Sequence, residues 1–297
     1  MKKSFLANED IARMHNLNSY NATEYSFVTS YIWSDVDNVD LYEDDKHKVL
    51  VINSSRGGVS LIPLAYYKDY SSCIELALEN ININNIDKVN CVCEDTKDVF
   101  IKHLGDKFYI EEDRDAFDYI YEADSLRTLA GRKNSKKRNH LNYFLKEFEG
   151  RYEYKLLNEE NFDECLELLK EWTLKKEEND EHDEGIDDEY IGIKKIFKDY
   201  ELLKDKLKIA GVYVDNKLEA FTIGELINPN MALVHIEKAN PNIRGLYQYI
   251  NQQFILNEFP EVEFVNREED LGIPGLRKAK LSYHPLRFVE KYTVREA

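Results

Sequence analysis

The chain has 297 residues, 43% of them hydrophobic and 33% charged, and a net charge of −17. That is apolar material for two domains of ordinary size and argues against disorder, while the acidic balance repels nucleic acid and anionic lipid on average, so a polyanion must be met by a local basic patch. No stretch approaches the roughly 20 apolar residues that span a bilayer, so the chain reads as cytoplasmic, and four cysteines (Cys73, Cys91, Cys93, Cys165) without a second Cys pair or a His-x-x-x-His motif argue against a disulfide scaffold and a zinc site.

In chain order, the spacing predicts a helix over 7–17 and an aromatic segment with Tyr25, Phe27, Tyr31 and Trp33. Short strands follow at 40–42, 48–53 and 59–65, then helices at 73–79 and 99–104 around a strand at 88–94, and a further strand at 117–121. From Ser125 a helical pattern runs to Phe148, with six Lys or Arg and no acid between Arg127 and His140. Such a run is a solvated helix face or, in an acidic chain, a docking surface for phosphates formed by Arg132, Lys133, Lys136, Lys137 and Arg138. Gly150 ends this segment and divides the chain into 1–150 and 151–297.

The second half opens with a strand at 152–156 and an amphipathic helix through Phe162, Cys165, Leu166, Leu169 and Trp172. An acid-rich run at 177–189, with His182, reads as a solvated loop or as an electrostatic gate over a cationic acceptor, and a helix with Tyr190, Ile191, Phe197, Tyr200 and Leu203 follows. Strands at 206–214 and 217–226 are joined by the two-residue turn Asp215-Asn216.

The strand at 231–238 alternates, so Met231, Leu233, His235 and Glu237 are expected on one face. After Asn240-Pro241-Asn242, the four-residue spacing of Leu246, Ile250 and Phe254 gives a helix, and a strand at 262–265 completes a parallel β-α-β unit. The helix start, with Asn242, Arg244 and Gly245, is then expected beside Glu237 and offers free N–H groups to an anion. Spacing alone also allows Glu237 to be an ordinary charged strand end paired with Lys238 or Arg244.

The strand and helix order of the second half is the acetyltransferase-type (GNAT) arrangement. The stretches Gly131-Arg132-Lys133 through Lys136-Lys137-Arg138-Asn139-His140, His235-Ile236-Glu237-Lys238-Ala239, Gly245-Leu246-Tyr247-Gln248 with Ile250-Asn251, and 265–285 with Arg267-Glu268-Glu269-Asp270 and Arg277-Lys278-Ala279-Lys280 resemble the C-terminal catalytic domain of the phosphatidylglycerol lysyltransferases and their stand-alone relatives. The resemblance runs from about residue 24 to residue 292. It implies an α/β, mixed-sheet fold of two tandem GNAT-like domains, with transfer chemistry in the second. The membrane domain that presents lipid in those enzymes is absent from this sequence. The acetyl-CoA loop pattern is reduced to Gly245.

On this resemblance the chain moves an aminoacyl or acyl group from a phosphate-bearing carrier to an amine or hydroxyl. Glu237 is the expected base and Tyr283 the proton donor to the leaving group. Asn242, Arg244, Gly245, Arg277, Lys278 and Lys280 would hold the carrier's phosphate, and His235, Asn266, Arg267, Glu268, Glu269 and Asp270 would line the acceptor site. Aminoacyl-tRNA is the favoured donor. Two alternatives stay open: an acyltransferase using acyl-CoA, and a non-catalytic module that binds tRNA or peptide. No metal is expected.

Overall fold

The computed structural model describes residues 3–4, 21–55, 57–64, 70–81, 86–104, 108–177 and 185–297. The strands in chain order are β1 (Lys3–Ser4), β2 (Asn38–Glu43), β3 (Lys48–Asn53), β4 (Val59–Pro63), β5 (Lys88–Cys93), β6 (Phe108–Glu112), β7 (Asp118–Glu122), β8 (Tyr152–Leu156), β9 (Leu207–Val214), β10 (Lys217–Asn228), β11 (Met231–Ala239), β12 (Phe264–Asn266), β13 (Arg287–Val289) and β14 (Lys291–Glu296). The α-helices are α1 (Phe27–Trp33), α2 (Tyr70–Asn80), α3 (Lys97–Leu104), α4 (Ala123–Thr128), α5 (Ser135–Glu147), α6 (Phe162–Glu177), α7 (Gly185–Lys198), α8 (Tyr200–Leu203), α9 (Leu246–Glu258) and α10 (Pro274–Leu281). The helix expected at 7–17 and most of the acid-rich run, His182 included, lie outside the described residues.

Two compact units form: Met1–Tyr119 with Glu268–Arg277 and Arg287–Ala297, and Ile120–Arg267 with Lys278–Leu286. Gly150 lies inside the second unit. The first unit holds a sheet in the order β1-β2-β3-β4-β5-β14-β6. Its β4 and β5 run parallel, and the C-terminal strand β14 is inserted antiparallel between β5 and β6. Its core collects Leu41, Val49, Leu50, Ile62, Ile74, Val89 and Phe100.

A charged cluster is buried in this apolar setting. Lys291 donates to Glu24 at 2.6 Å and to Asp118 at 2.7 Å, and Asp118 also accepts from the Thr23 amide at 2.8 Å. Burial opposes charge on Lys291, yet the Asp118 and Glu24 carboxylates hold its ammonium well above the ordinary lysine range.

In the second unit β7, β12, β11, β10, β9 and β8 are successive neighbours. The Asp215-Asn216 turn has φ of 51° and 66°, the left-handed pair a type I′ hairpin requires. The β11 and β12 strands pair in parallel, with α9 as the crossover, as the sequence predicts. The helical pattern of 125–148 is in fact two helices, interrupted where Leu129 (φ 49°) and Gly131 (φ 81°) turn left-handed. The break is held by the Arg138 guanidinium, which donates to the carbonyls of Leu129 at 2.6 Å and Gly131 at 3.1 Å. Pairwise spacing carries no record of such a long-range donor, which is why the pattern reads as continuous. After β12 the predicted loop contains α10, with Pro274 at its first position, where a missing N–H costs nothing.

Candidate active site

The β11–β12 ladder lasts three positions, Met231↔Phe264, Ala232↔Val265 and Leu233↔Asn266. Beyond them no pairing continues. Glu237 lies four residues past the last paired position on β11, and Arg267 directly follows β12. Arg267 Nη2 donates to Glu237 Oε1 at 3.0 Å, and Asn251 Nδ2, from the second turn of α9, donates to Glu237 Oε2 at 2.8 Å. Both carboxylate oxygens are therefore held. The Glu237 and Arg267 side chains are only 11% and 12% exposed.

A β-bulge sets which residues reach this place. The β10–β11 register pairs Ile223 with Ile236 but Gly224 with Val234, so His235 is an extra residue on β11. Glu237 consequently shares a face with Val234 and Gly224, where α9 packs: a Cβ on Gly224 would come within 2.9 Å of the Phe254 ring. His235 belongs to the other face, bonded through Nε2 to Glu225 Oε1 at 3.0 Å. Lys238 is on that face too, 3.9 Å over the Trp172 ring and 2.7 Å from Glu189. The strict alternation expected of this strand is thus wrong by one residue after Leu233, and His235 does not join Glu237.

A second cation enters from α5. Lys137 Nζ sits 4.1 Å over the Tyr283 ring, which the Arg267 guanidinium also approaches, at 4.9 Å. Burial, then the charges of Arg267 and Lys136, lower the Lys137 ammonium to about 8. Burial pushes the Tyr283 phenol up to about 12 against the pull of Arg267, so at neutral pH it keeps its proton and can donate it. Arg267 is braced from behind, since Lys280 Nζ bonds its carbonyl oxygen and Tyr121 Oη donates to the Lys280 carbonyl at 2.8 Å.

Two buried atoms here lack any hydrogen-bond partner, Arg267 Nη1 and Asn251 Oδ1. One is a donor and the other an acceptor, and each belongs to the planar group whose second heteroatom binds Glu237. Buried polar groups are normally paired, so these two need a ligand or other explanation.

The other predicted residues fall elsewhere. Arg244 is exposed, 4.7 Å over the Tyr143 ring, and the Asn242 amide donates to Asn240 Oδ1 at 3.1 Å. Gly245 takes φ 90°, and a Cβ there would lie 2.1 Å from the His140 carbonyl oxygen, so α5 packs against the start of α9. Glu268, Glu269, Asp270 and Arg277 belong to the first unit. There Asp270 is fully buried and accepts from Tyr119, Arg114 and Arg277, while Arg277 also binds Asp115 at 2.6 Å. Asp270 and Arg277 therefore serve as a loop lock in this state. Asn266 is fully buried, and Lys278 is exposed.

Of the basic segment, Arg132, Lys133 and Lys136 are exposed, Arg138 is committed to the α4–α5 break, and Lys137 lies over the Tyr283 ring. Charge spacing did not single out Lys137 from its neighbours. Asn251 carried a readable signal, a polar residue beside Ile250 and three before Phe254 on the apolar face of α9.

Two units, each with a mixed α/β sheet, and in the second a buried carboxylate beyond the end of the parallel β11–β12 ladder, give a tandem GNAT-like fold. The chain belongs to the family described as phosphatidylglycerol lysyltransferase, C-terminal, whose model matches residues 17–295. A conserved protein of unknown function from Bacteroides thetaiotaomicron shares 30% identity with a TM-score of 0.87, covering 99% of this chain and 98% of that one. The fold is also similar to L-PGS from Bacillus licheniformis (12% identity, TM-score 0.67, 97% of this chain and 91% of that one). A tandem GNAT protein from the clavulanic acid biosynthesis pathway is similar as well (10%, TM-score 0.53, 100% and 97%). An uncharacterised protein of Mycoplasmoides gallisepticum is 26% identical over 178 residues, 60% of this chain and 55% of that relative, so the match spans about half of the curated relative's length. Among the described residues no helix is long and apolar enough to cross a membrane, and no cluster of three His, Cys, Asp or Glu could hold a metal.

Proposed function

We propose that the second unit transfers an aminoacyl or acyl group from a phosphate-bearing carrier, aminoacyl-tRNA in preference to acyl-CoA, to an amine or hydroxyl acceptor. The observation that carries this reading is the Glu237–Arg267 pair, which bridges the point where β11 and β12 part, with the Lys137 amine on the same ring that Arg267 contacts. Glu237 accepts the acceptor's proton, Tyr283 donates one to the carrier oxygen, and Arg267 and Lys137 hold negative charge as it develops on the carbonyl. Preference for tRNA rests on two features. Arg132, Lys133 and Lys136 put exposed positive charge on the helix that delivers Lys137, in a chain of net charge −17. The backbone of His140 also packs closely against Gly245 at the start of α9, which supports a carrier held elsewhere than at that helix end.

Replacing Arg132, Lys133 and Lys136 together with Gln is expected to weaken tRNA binding and to lower the slope of log affinity against log salt by about 2, since each lost phosphate contact removes roughly 0.7–0.9. Filter binding at several salt concentrations measures it; an unchanged slope would count against a tRNA carrier. Lys137 makes a separate prediction about pH. Anion binding favours its protonated form, present below about 8 and lost as pH rises through that value, so affinity for uncharged tRNA at constant ionic strength should fall between pH 7 and 9. Lys137→Arg, charged throughout this range, should abolish the fall.

A further inference from the structure

Within the proposed transfer reaction, the two unpartnered atoms beside Glu237 bear on which acceptor it takes. Leaving a buried donor or acceptor unpaired costs about 1–3 kcal/mol. Here one of each flanks a single carboxylate, Arg267 Nη1 and Asn251 Oδ1. Asn251 is 2% exposed, while its own Nδ2 and the Arg267 Nη2 are engaged by Glu237, so these two free positions are held in place by the pair that would do the chemistry.

We infer that the acceptor is a primary amine, and that Asn251 and Arg267 hold the two poles of its addition to the acyl carbonyl. Arg267 Nη1 donates to the carbonyl oxygen and binds it more strongly as it becomes an oxyanion. The amine gives one hydrogen to Glu237 and directs a second N–H to Asn251 Oδ1. A hydroxyl acceptor has a single hydrogen; once that hydrogen goes to Glu237, Asn251 Oδ1 stays unpaired. The difference favours amines over alcohols by roughly 10–100-fold. In the step itself the nitrogen bonds to the carbonyl carbon and the bond from that carbon to the carrier oxygen breaks. The proton taken by Glu237 is balanced by one delivered to the departing oxygen, so an ester and an amine give an amide and an alcohol without redox change.

The test uses the full chain with total tRNA charged with radiolabelled amino acids, and in parallel with labelled acetyl-CoA. The acceptor pool contains ethanolamine, spermidine and a lysine-ended peptide as amines, and glycerol and phosphatidylglycerol vesicles as alcohols. Mild alkali then separates amide from ester products. The expected result is alkali-stable label in at least 10-fold excess, with ethanolamine modified on nitrogen. Asn251→Leu should lose that preference and Asn251→Thr, which keeps an oxygen acceptor, should retain it. Mainly alkali-labile label in the unmodified protein would overturn the amine assignment while leaving the transfer reading intact. Label that leaves neither donor for any acceptor would overturn both.

Discussion

Glu237→Gln is expected to lower the rate of acyl transfer by about 10²–10⁴-fold, the range that a positioned general base contributes. The substitution keeps the side chain's shape and one oxygen for Arg267 or Asn251, but it removes the proton acceptor and leaves the Arg267 cation without its counter-charge. Breaking a buried pair by removing one partner costs about 3–5 kcal/mol where the remaining charge stays buried. Arg267 contacts the rings of Tyr121 and Tyr283, at 5.7 and 4.9 Å, which offsets a part of that cost. Single-turnover transfer and thermal melting should be measured on the same preparation. A rate that falls less than about 10-fold in a folded variant would remove Glu237 from the chemistry.

The largest stability effect is expected in the first unit. Lys291→Met leaves Glu24 and Asp118 facing each other in the core with no cation between them. A loss of about 3–5 kcal/mol is expected, lowering the melting temperature of that unit by roughly 10 °C. Adding Glu24→Gln to Lys291→Met should recover part of the loss, and more at pH 9 than at pH 6, because the Glu24 carboxyl carries charge only at high pH; a double variant as unstable as the single one at pH 9 would show that packing, and not charge, sets the cost. The cluster also makes stability depend on pH. Burial pushes the Glu24 carboxyl from 4.5 up to about 7, against the pull of Lys291. Its contribution is fully present below 4.5 and is lost as pH rises through about 7, so the wild-type melting temperature should decline across that window and Glu24→Gln should flatten the decline.

Much of the fold is legible along the chain because it depends on local periodicity. The apolar run in 48–53 and the alternation of 152–156 yield strands with those bounds, the Asp215-Asn216 turn has the residue types its left-handed angles require, and Leu246, Ile250 and Phe254 mark the buried face of α9. The β-α-β crossover follows from the same reading. Where the reading goes astray, a residue distant in sequence has decided. Arg138 holds the break between α4 and α5, the bulge at His235 turns one ionisable side chain away from the next, and Arg277 bonds to both Asp270 and Asp115.

The order of elements, the overall negative charge with its one basic segment, and the presence of a carboxylate at the end of a strand were determined by the residues in their linear order, since periodicity and charge are properties of neighbours. Only the tertiary structure decided that Lys137 leaves its basic neighbours for the Tyr283 ring, that Glu237 takes Arg267 and Asn251 as partners, and that a donor and an acceptor beside it stay open. Those outcomes depend on side chains brought together from α5, β11, α9 and the end of β12. Hydrogen bonds and burial between them are three-dimensional relations that no spacing along the chain records.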